Sequence, residues 1–391
     1  MNGGKKAESG RILLAISPLR KNMMQRIIAI AALVLFAGIC PLLAESVPDS
    51  GNDALPAYTI LPCKKNCGDF RRARVTKWAR VHRPDWKDLR AEPQGSVTLN
   101  LHIGADGKLM DVTLVDAIGT REYAENVIAA LKKSTFKPAT RNGVPVESNL
   151  RVVRPYFVLL PLSETATIKR VAAIYEESRT LATSGKLKEA IALLEGKLDQ
   201  HAFRNDQKSL IYFTLANYYY LLKDPFNALS YISCASAYIR YDHPADFKRK
   251  VAQAHMEMAG EMGEYAAILI VESANSRIRT AKLKKFATEA AAIIEGLNPI
   301  KVTAKIMASK PEDSTTDRDN PFWAHSLVRR SFHFENIKGQ LDHLVLHCEQ
   351  ETIKSQITAT AAWDIPPDFT GCSLLVYGTP DTTFNLIESK G

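Results

Sequence analysis

Hydrophobic and polar residues alternate between residues 96 and 103, and this pattern opens the most regular stretch of the chain. Every second position is apolar, namely Val97, Leu99, Leu101 and Ile103. Such alternation predicts a strand that is buried on one face. A second alternating run covers residues 109–115, and Asp106-Gly107 between the two runs favours a tight turn. The pattern therefore predicts a β-hairpin.

The period changes to that of a helix after the hairpin. Within residues 121–133 the apolar positions follow the spacing i, i+3, i+4 and i+7, at Ala124, Val127, Ile128 and Leu131. This spacing predicts an amphipathic helix that lies on the hairpin. Turn residues then precede a last apolar run from Leu150 to Leu159, which is predicted to be the closing strand. The predicted order is ββαβ.

Two short motifs in this stretch carry a family resemblance. They are Phe136-Lys137-Pro138-Ala139 and Asn142-Gly143-Val144-Pro145-Val146, supported by Gly95, Gly119 and Phe157. With them, residues 91–162 resemble the C-terminal domain of TonB-family energy transducers. The resemblance implies a periplasmic module that contacts outer-membrane partners. The alternative is an unrelated small ββαβ domain with good turns.

The closing strand is the predicted binding surface of this module. If it lies at an exposed sheet edge, its backbone amides can accept a partner strand by β-augmentation. The residues predicted to meet the partner are Val152, Val153, Arg154, Tyr156 and Val158. The alternative is that the basic segment before the module, or a second copy of the domain, covers this edge.

Strand patterns vanish between residues 163 and 298, where alanine-rich helical periodicity takes over. Three segments align on Ala190, Ala228 and Ala267, which are 38 and 39 residues apart. This resembles tetratricopeptide-type (TPR) repeats with a slightly long period. The first repeat departs from the pattern at Glu177-Ser178 and is expected to act as a cap. A generic stack of helical hairpins is the alternative.

A stack of helical hairpins leaves a concave surface that suits peptide or protein binding. In the second repeat, Phe213, Asn217 and Tyr220 are predicted to point into this groove, where aromatic side chains offer rigid contact area. The alternative is that the tyrosines at 218–220 fill the gap to the next repeat.

The chain returns to strand patterns near its C-terminal end. Residues 299–321 are predicted to include a charged, proline-bracketed linker, and residues 322–391 a small antiparallel β domain, either one sheet or a sandwich. A Cys348–Cys372 disulfide is predicted within it; closing a loop of about 25 residues contributes roughly 3 kcal/mol. The histidines of this domain are expected to face solvent: His325, His333, His343 and His347.

Residues 1–44 are interpreted as a secretory signal. Basic residues precede an apolar run from Ile27 to Ile39, followed by a small residue, Ala44. Such a run is too short to span a bilayer core of about 30 Å. Export to the periplasm is expected, and Met23 or Met24 is a candidate start. An uncleaved anchor is the alternative, and lipidation at Cys40 is disfavoured by Ile39 before it.

The net charge of +9 comes largely from two segments. One is the signal, and the other is the basic part of residues 45–90, between Lys64 and Arg90. This basic segment is interpreted as a solvated helix face. The alternative is contact with an acidic partner or an anionic membrane surface, which attracts basic clusters. No motif supports nucleic-acid binding.

Five cysteines remain after the predicted signal. Disulfides persist in exported proteins, so Cys63 and Cys67 are predicted to pair, with a metal site as the rival. Cys234 lies within an apolar helix stripe and is predicted to be a buried free thiol.

The sequence shows no nucleophile elbow, zinc-protease motif, phosphate loop or dinucleotide fingerprint. We therefore expect an α+β multidomain protein without cofactor or catalytic activity, an exported periplasmic protein-interaction factor of a Gram-negative bacterium. One alternative is a TonB-type energy transducer on an inner-membrane anchor, although only about 50 residues separate the signal from the module, a short reach at about 3.3 Å per residue. The other is an enzyme whose site is not recognised.

Overall fold

The computed structural model describes residues 68–81, 95–118, 121–156, 165–200, 203, 205–239, 243–307, 321–358 and 360–390. The predicted signal, Cys40 and the Cys63–Cys67 pair lie outside these ranges. The described chain is a mixed α+β structure with antiparallel sheets and eight α-helices, as predicted.

The first part, the TonB-like module, contains the predicted hairpin, helix and closing strand. Its elements are β1 (Phe70–Arg71), β2 (Arg74–Lys77), β3 (Gly95–Ile103), β4 (Leu109–Ile118), α1 (Arg121–Leu131), β5 (Thr135–Lys137), β6 (Ala139–Arg141), β7 (Val144–Val146) and β8 (Ser148–Tyr156). Strands β4, β3 and β8 form one antiparallel sheet in that order. The alternating apolar residues of β3 are fully buried against α1, because period-2 alternation places them all on one face.

Part of the predicted basic linker belongs to this module. β1 pairs with β6 and β2 pairs with β5, so residues 70–77 and 135–141 form one kinked antiparallel ribbon. The apolar residues of the segment explain the pairing, because Ala73 is buried and Val75 packs against the module core. Residues 70–77 therefore pack on the module, and the segment is a strand pair rather than a helix face where it is described.

The second part is an array of helices between residues 165 and 295. It contains α2 (Thr165–Thr183), α3 (Leu187–Gln200), α4 (Asn205–Leu221), α5 (Pro225–Ala237), α6 (Ala245–Met262), α7 (Tyr265–Ala274) and α8 (Ala281–Glu295). The first six helices make three hairpins, and each hairpin turn has a left-handed residue at an equivalent position: Gly185, Lys223 and Gly263. This recurrence is compatible with the predicted TPR-like repeats.

The third part is an antiparallel β-sandwich. Its strands are β9 (Ile300–Lys305), β10 (Phe322–Ser326), β11 (Ser331–Lys338), β12 (Leu341–His347), β13 (Thr352–Gln356), β14 (Ala362–Asp364), β15 (Ser373–Gly378) and β16 (Thr383–Ser389). One sheet has the order β10-β15-β12-β13 and the other β14-β11-β16-β9. The predicted linker 299–321 is corrected at its start, because β9 pairs with β16 and alternate apolar residues of β9 enter the sandwich core.

The cysteines of the described chain follow the prediction. Cys348 and Cys372 form a disulfide, and Cys234 is a buried thiol. The histidines differ from the expectation, because His325 and His347 are buried. His347 contacts the Thr352 hydroxyl at 3.0 Å through Nδ1, and His325 lies between two carboxylates. Solvent exposure was the wrong expectation for both, since other parts of the chain cover these strands.

The three parts pack directly on one another. The outer face of the β10-β15-β12-β13 sheet carries Phe322 and Leu375, which join Val115 of β4 in one apolar cluster. The array meets the sandwich through Arg329, whose guanidinium donates to the Ile293 and Gly296 carbonyls at the end of α8, both at 2.9 Å. The TonB-like module is therefore fixed against the rest of the described chain.

Candidate functional site at the edge strand of the TonB-like module

The closing strand β8 lies at the edge of its sheet. It pairs along its whole length with β3, from Ser148 opposite Ile103 to Tyr156 opposite Gly95. On its other side, no strand of the described chain pairs with it. This edge position is the one that strand addition requires.

The direction of the backbone groups in β8 follows from one contact. The amide of Asn149 donates to the Glu349 carbonyl at 2.7 Å, on the side away from β3. In an antiparallel pair, successive residues alternate between facing the partner strand and facing away. The amide and carbonyl of Val153 therefore point away from β3, and Pro155, two residues later, has no amide to donate.

The predicted partner-binding residues of β8 divide by face. Val152 is buried and packs in the core under α1, so it supports the strand and offers no exposed contact. Val153 is on the opposite face, and 58% of its surface is exposed. Arg154 and Tyr156 belong to β8, but their side chains are outside the described part, as is Val158. Val153 is thus the described residue that best fits a binding surface.

The sandwich holds the beginning of β8. The Asn149 side chain donates to the Cys348 carbonyl at 2.7 Å and to the Thr352 hydroxyl at 2.9 Å. Arg72 forms an ion pair with Glu349 at 2.8 Å beside this contact. We call the contact of Asn149 with residues 348–352 the clasp. The sequence does not predict this contact, because its partners are 199 residues or more apart and no local pattern indicates it.

The predicted groove of the helical array is only partly present. Phe213 is buried and packs edge-on against Phe247 of α6, with ring centroids 5.7 Å apart. Its predicted orientation was wrong because α6 covers that face of α4. Asn217 donates to the Phe213 carbonyl of its own helix at 2.6 Å. A binding role for these two side chains has no support in this geometry.

Tyr220 is the predicted groove residue that reaches the surface, with 40% of its area exposed. Its hydroxyl donates to a carboxylate oxygen of Glu261 at 2.6 Å. This hydrogen bond, with partial burial and the Glu261 charge, raises the pKa of Tyr220 to about 12. Its neighbour Tyr219 instead stacks on Tyr231, at 5.4 Å between ring centroids. Tyr219 therefore packs inside the array, whereas Tyr220 is exposed at its surface.

A cavity of about 350 Å³ lies where the three parts meet. Its lining includes Arg151 of β8, Phe226 of α5, His255 of α6, Glu264 before α7, Lys305 of β9 and Trp323 of β10. The charged groups in it already have partners in the chain. Lys305 pairs with Asp381 at 2.8 Å, and Glu264 contacts His325 at 2.8 Å.

His255 in the cavity wall is buried between two serine hydroxyls. Burial lowers its pKa to about 4, so it is neutral. Its ring nitrogens contact the Ser233 and Ser236 hydroxyls at 3.2 and 2.9 Å, and the Ser233 hydroxyl donates to a backbone carbonyl of its own helix. Within the described residues, no group of three His, Cys, Asp or Glu side chains is placed to hold a metal ion.

Comparison with known families supports the TonB-like module. Residues 88–159 match the family model described as Gram-negative bacterial TonB protein C-terminal. The match covers the hairpin, α1 and β8. A comparison of the chain with curated proteins gives no match. Among the described helices, none combines the length and the hydrophobicity needed to cross a membrane.

Proposed function

We propose that the chain is an exported, periplasmic protein-interaction factor of a Gram-negative bacterium, and that its TonB-like module binds a protein partner by strand addition at β8. The observation that carries the proposal is the edge position of β8, in a domain that matches the TonB C-terminal family. Strand addition uses backbone hydrogen bonds for affinity and alternate side chains for specificity. The proposal assigns the chain no catalytic activity.

The part of β8 that can accept a partner strand is short. The clasp occupies the outward amide of Asn149, and Pro155 removes the donor at the other end. The outward amide and carbonyl of Val153 lie between these limits, beside an exposed apolar side chain. Natural edge strands are often shortened by proline or by covering segments, which prevents unselective pairing. A short free stretch therefore suits a selective partner whose own side chains supply much of the affinity.

The test is Val153→Pro, with Val153→Ala as the matched control. Proline removes the outward amide but leaves the ladder to β3 intact, because that ladder uses the even-numbered residues of β8. Both variants are checked for folding by circular dichroism and thermal unfolding. A photo-crosslinking residue at position 153, used in intact cells, first identifies the partner.

The proposal requires that the identified partner binds the folded Val153→Pro variant at least tenfold more weakly than Val153→Ala, because both variants lose the valine side chain and only proline also removes the amide. Position 144, exposed on the β7 hairpin, is the control for crosslinking. Identical crosslinks at positions 144 and 153, or full binding by Val153→Pro, would overturn the edge as the binding surface.

The family match also favours a second candidate, a TonB-type energy transducer that contacts outer-membrane receptors from an inner-membrane anchor. Cell fractionation separates the two. A chain that resists carbonate extraction from the inner membrane and crosslinks to an outer-membrane receptor is a transducer. A chain released with the soluble periplasmic fraction that crosslinks to a soluble partner is the interaction factor proposed above.

A further inference from the structure

We propose that the TonB-like module binds an anionic phospholipid surface. The binding face, which we call the basic ribbon, is formed by strands β1, β2, β5 and β6. Residues 68–81 and 132–141, which contain this ribbon and the turns next to it, hold nine Lys or Arg and one carboxylate, Asp69. Pairing of β2 with β5 joins basic residues that are about 60 positions apart in sequence. The ribbon shares no residue with β8.

Three of the nine cations are engaged by carboxylates. Arg71 pairs with Asp69, Arg72 with Glu349 and Arg141 with Asp368. The other six side chains are exposed, and the ion pairs of the described chain include none of them: Arg74, Lys77, Arg80, Lys132, Lys133 and Lys137. Local positive charge is therefore concentrated on this part of the described chain.

The ribbon also places like charges opposite each other. Arg74 is the direct cross-strand neighbour of Lys137. Like charges in this position destabilise a strand pair. The Ala79 amide donates to the Ser134 hydroxyl at 2.9 Å, which brings Arg80 close to the Lys132-Lys133 turn. An anionic surface would relieve the repulsion at both places, whereas the described chain supplies no carboxylate to do so.

The remaining residues of the ribbon favour a lipid surface over a macromolecular partner. Its larger apolar side chains pack on the module core, with Phe136 buried and Phe70, Val75 and Trp78 partly buried, and the exposed neighbours Thr76 and Thr135 are polar. Protein interfaces concentrate their energy in apolar or aromatic anchors, and single-stranded nucleic acid requires exposed aromatic rings for stacking. Headgroup attraction requires only clustered cations within a Debye length.

The test measures binding of the full chain to sedimenting vesicles of phosphatidylcholine with 30% phosphatidylglycerol, against phosphatidylcholine alone. Binding to the neutral vesicles of phosphatidylcholine alone measures any contribution of the apolar run at residues 27–39. The variant is Lys132→Gln/Lys133→Gln/Lys137→Gln. The matched control, Lys188→Gln/Lys284→Gln/Lys301→Gln, removes three exposed lysines from the array and the sandwich.

Each surface cation contributes about fivefold to binding of an anionic membrane, so we expect the ribbon variant to bind anionic vesicles roughly a hundredfold more weakly than the parent. The control variant should bind anionic vesicles like the parent, and high salt should weaken this binding for both proteins. Equal binding to neutral and anionic vesicles, or an equal loss in the control, would overturn the proposal. So would binding of an acidic polypeptide, such as polyglutamate, that is tighter than binding of the anionic vesicles.

Discussion

At the scale of single residues, His325 shows how the helical array is attached to the sandwich. Its two ring nitrogens contact Glu264, at the start of α7, at 2.8 Å and Glu388 of β16 at 2.9 Å. Glu388 also accepts the amides of Val328 and Arg329 at 2.8 and 2.9 Å. Burial by itself lowers the pKa of His325, but the two carboxylates outweigh burial and raise this pKa to about 10. The imidazolium therefore persists at neutral pH and donates to both carboxylates.

This geometry predicts the effect of His325→Gln and its pH dependence. Removing one partner from a buried charge cluster costs about 3 kcal/mol or more. Because the folded-state pKa exceeds the unfolded value, the stability from His325 is fully present below about pH 6.5 and is lost as pH rises towards 10. Thermal unfolding at pH 7 and pH 10 should therefore show a larger difference between parent and variant at pH 7.

The control for this prediction is His333→Gln, since His333 is half-exposed and pairs with Glu335 at 3.1 Å. Exposed pairs contribute about 0–1 kcal/mol, so this variant should unfold close to the parent at both pH values. A difference between parent and His325→Gln that is equal at pH 7 and pH 10 would contradict a protonated His325.

At the scale of elements, the sequence was informative wherever one face of an element is buried in its own domain. The alternation in β3 and β4, the helical spacing in α1 and the Asp106-Gly107 turn all predicted what is present. β1 and β2 were missed because they are short and are defined by distant partners. β9 was missed although its apolar residues alternate, because it directly follows the helical array and its partner β16 is distant in sequence. Phe213 was misplaced for a related reason, because repeat spacing gives a helix face but does not say which neighbouring helix covers it.

The turn between β12 and β13 carries the next prediction, because the Cys348–Cys372 disulfide ties it to the start of β15 and the clasp ties it to β8. A bridge with sequence separation 24 contributes roughly 3 kcal/mol by constraining the unfolded chain. Reduction should therefore increase amide exchange first in residues 342–376 and in the Asn149 region of β8. Hydrogen exchange with mass spectrometry, with and without reductant, measures this.

Helices α4 and α5 provide the internal control for that experiment, since they are remote in sequence from the bridge and contain Cys234, which forms no disulfide. Their exchange should not change on reduction. Unaltered exchange around Asn149, with clear loosening of residues 342–376, would show that the clasp does not depend on the disulfide.

At the scale of the whole molecule, the sequence suggests three separate modules that follow one another along the chain. In the described chain these three parts pack directly against one another. One signal for this was present in β15. Leu374, Leu375 and Val376 form a continuous apolar run, which is typical of a strand buried on both faces. A small sandwich exposed on its outer faces would instead alternate. The run indicated that a second layer covers this sheet, but only the structure shows that the layer is the TonB-like module.

This packing makes Leu375 the residue that distinguishes an interlocked chain from separate modules. Leu374 points into the sandwich core and Leu375 points to the outer face, yet both are fully buried. Leu375→Ala should therefore destabilise the chain by about 2–5 kcal/mol, as Leu374→Ala should. On a free outer face, the same substitution would stay within about 0.5 kcal/mol. Urea unfolding of both variants measures the two costs.

Hydrogen exchange of the Leu375→Ala variant completes the argument. Because Leu375 packs with Val115 of β4, the substitution should increase exchange in the β3–β4 hairpin as well as in β15. Leu374→Ala should loosen β15 and its own sandwich more than the hairpin. If Leu375→Ala unfolds like the parent and leaves the hairpin unchanged, the TonB-like module is not held against the sandwich in solution. The β8 edge would then be presented by a free domain, and the clasp at Asn149 would not limit its length.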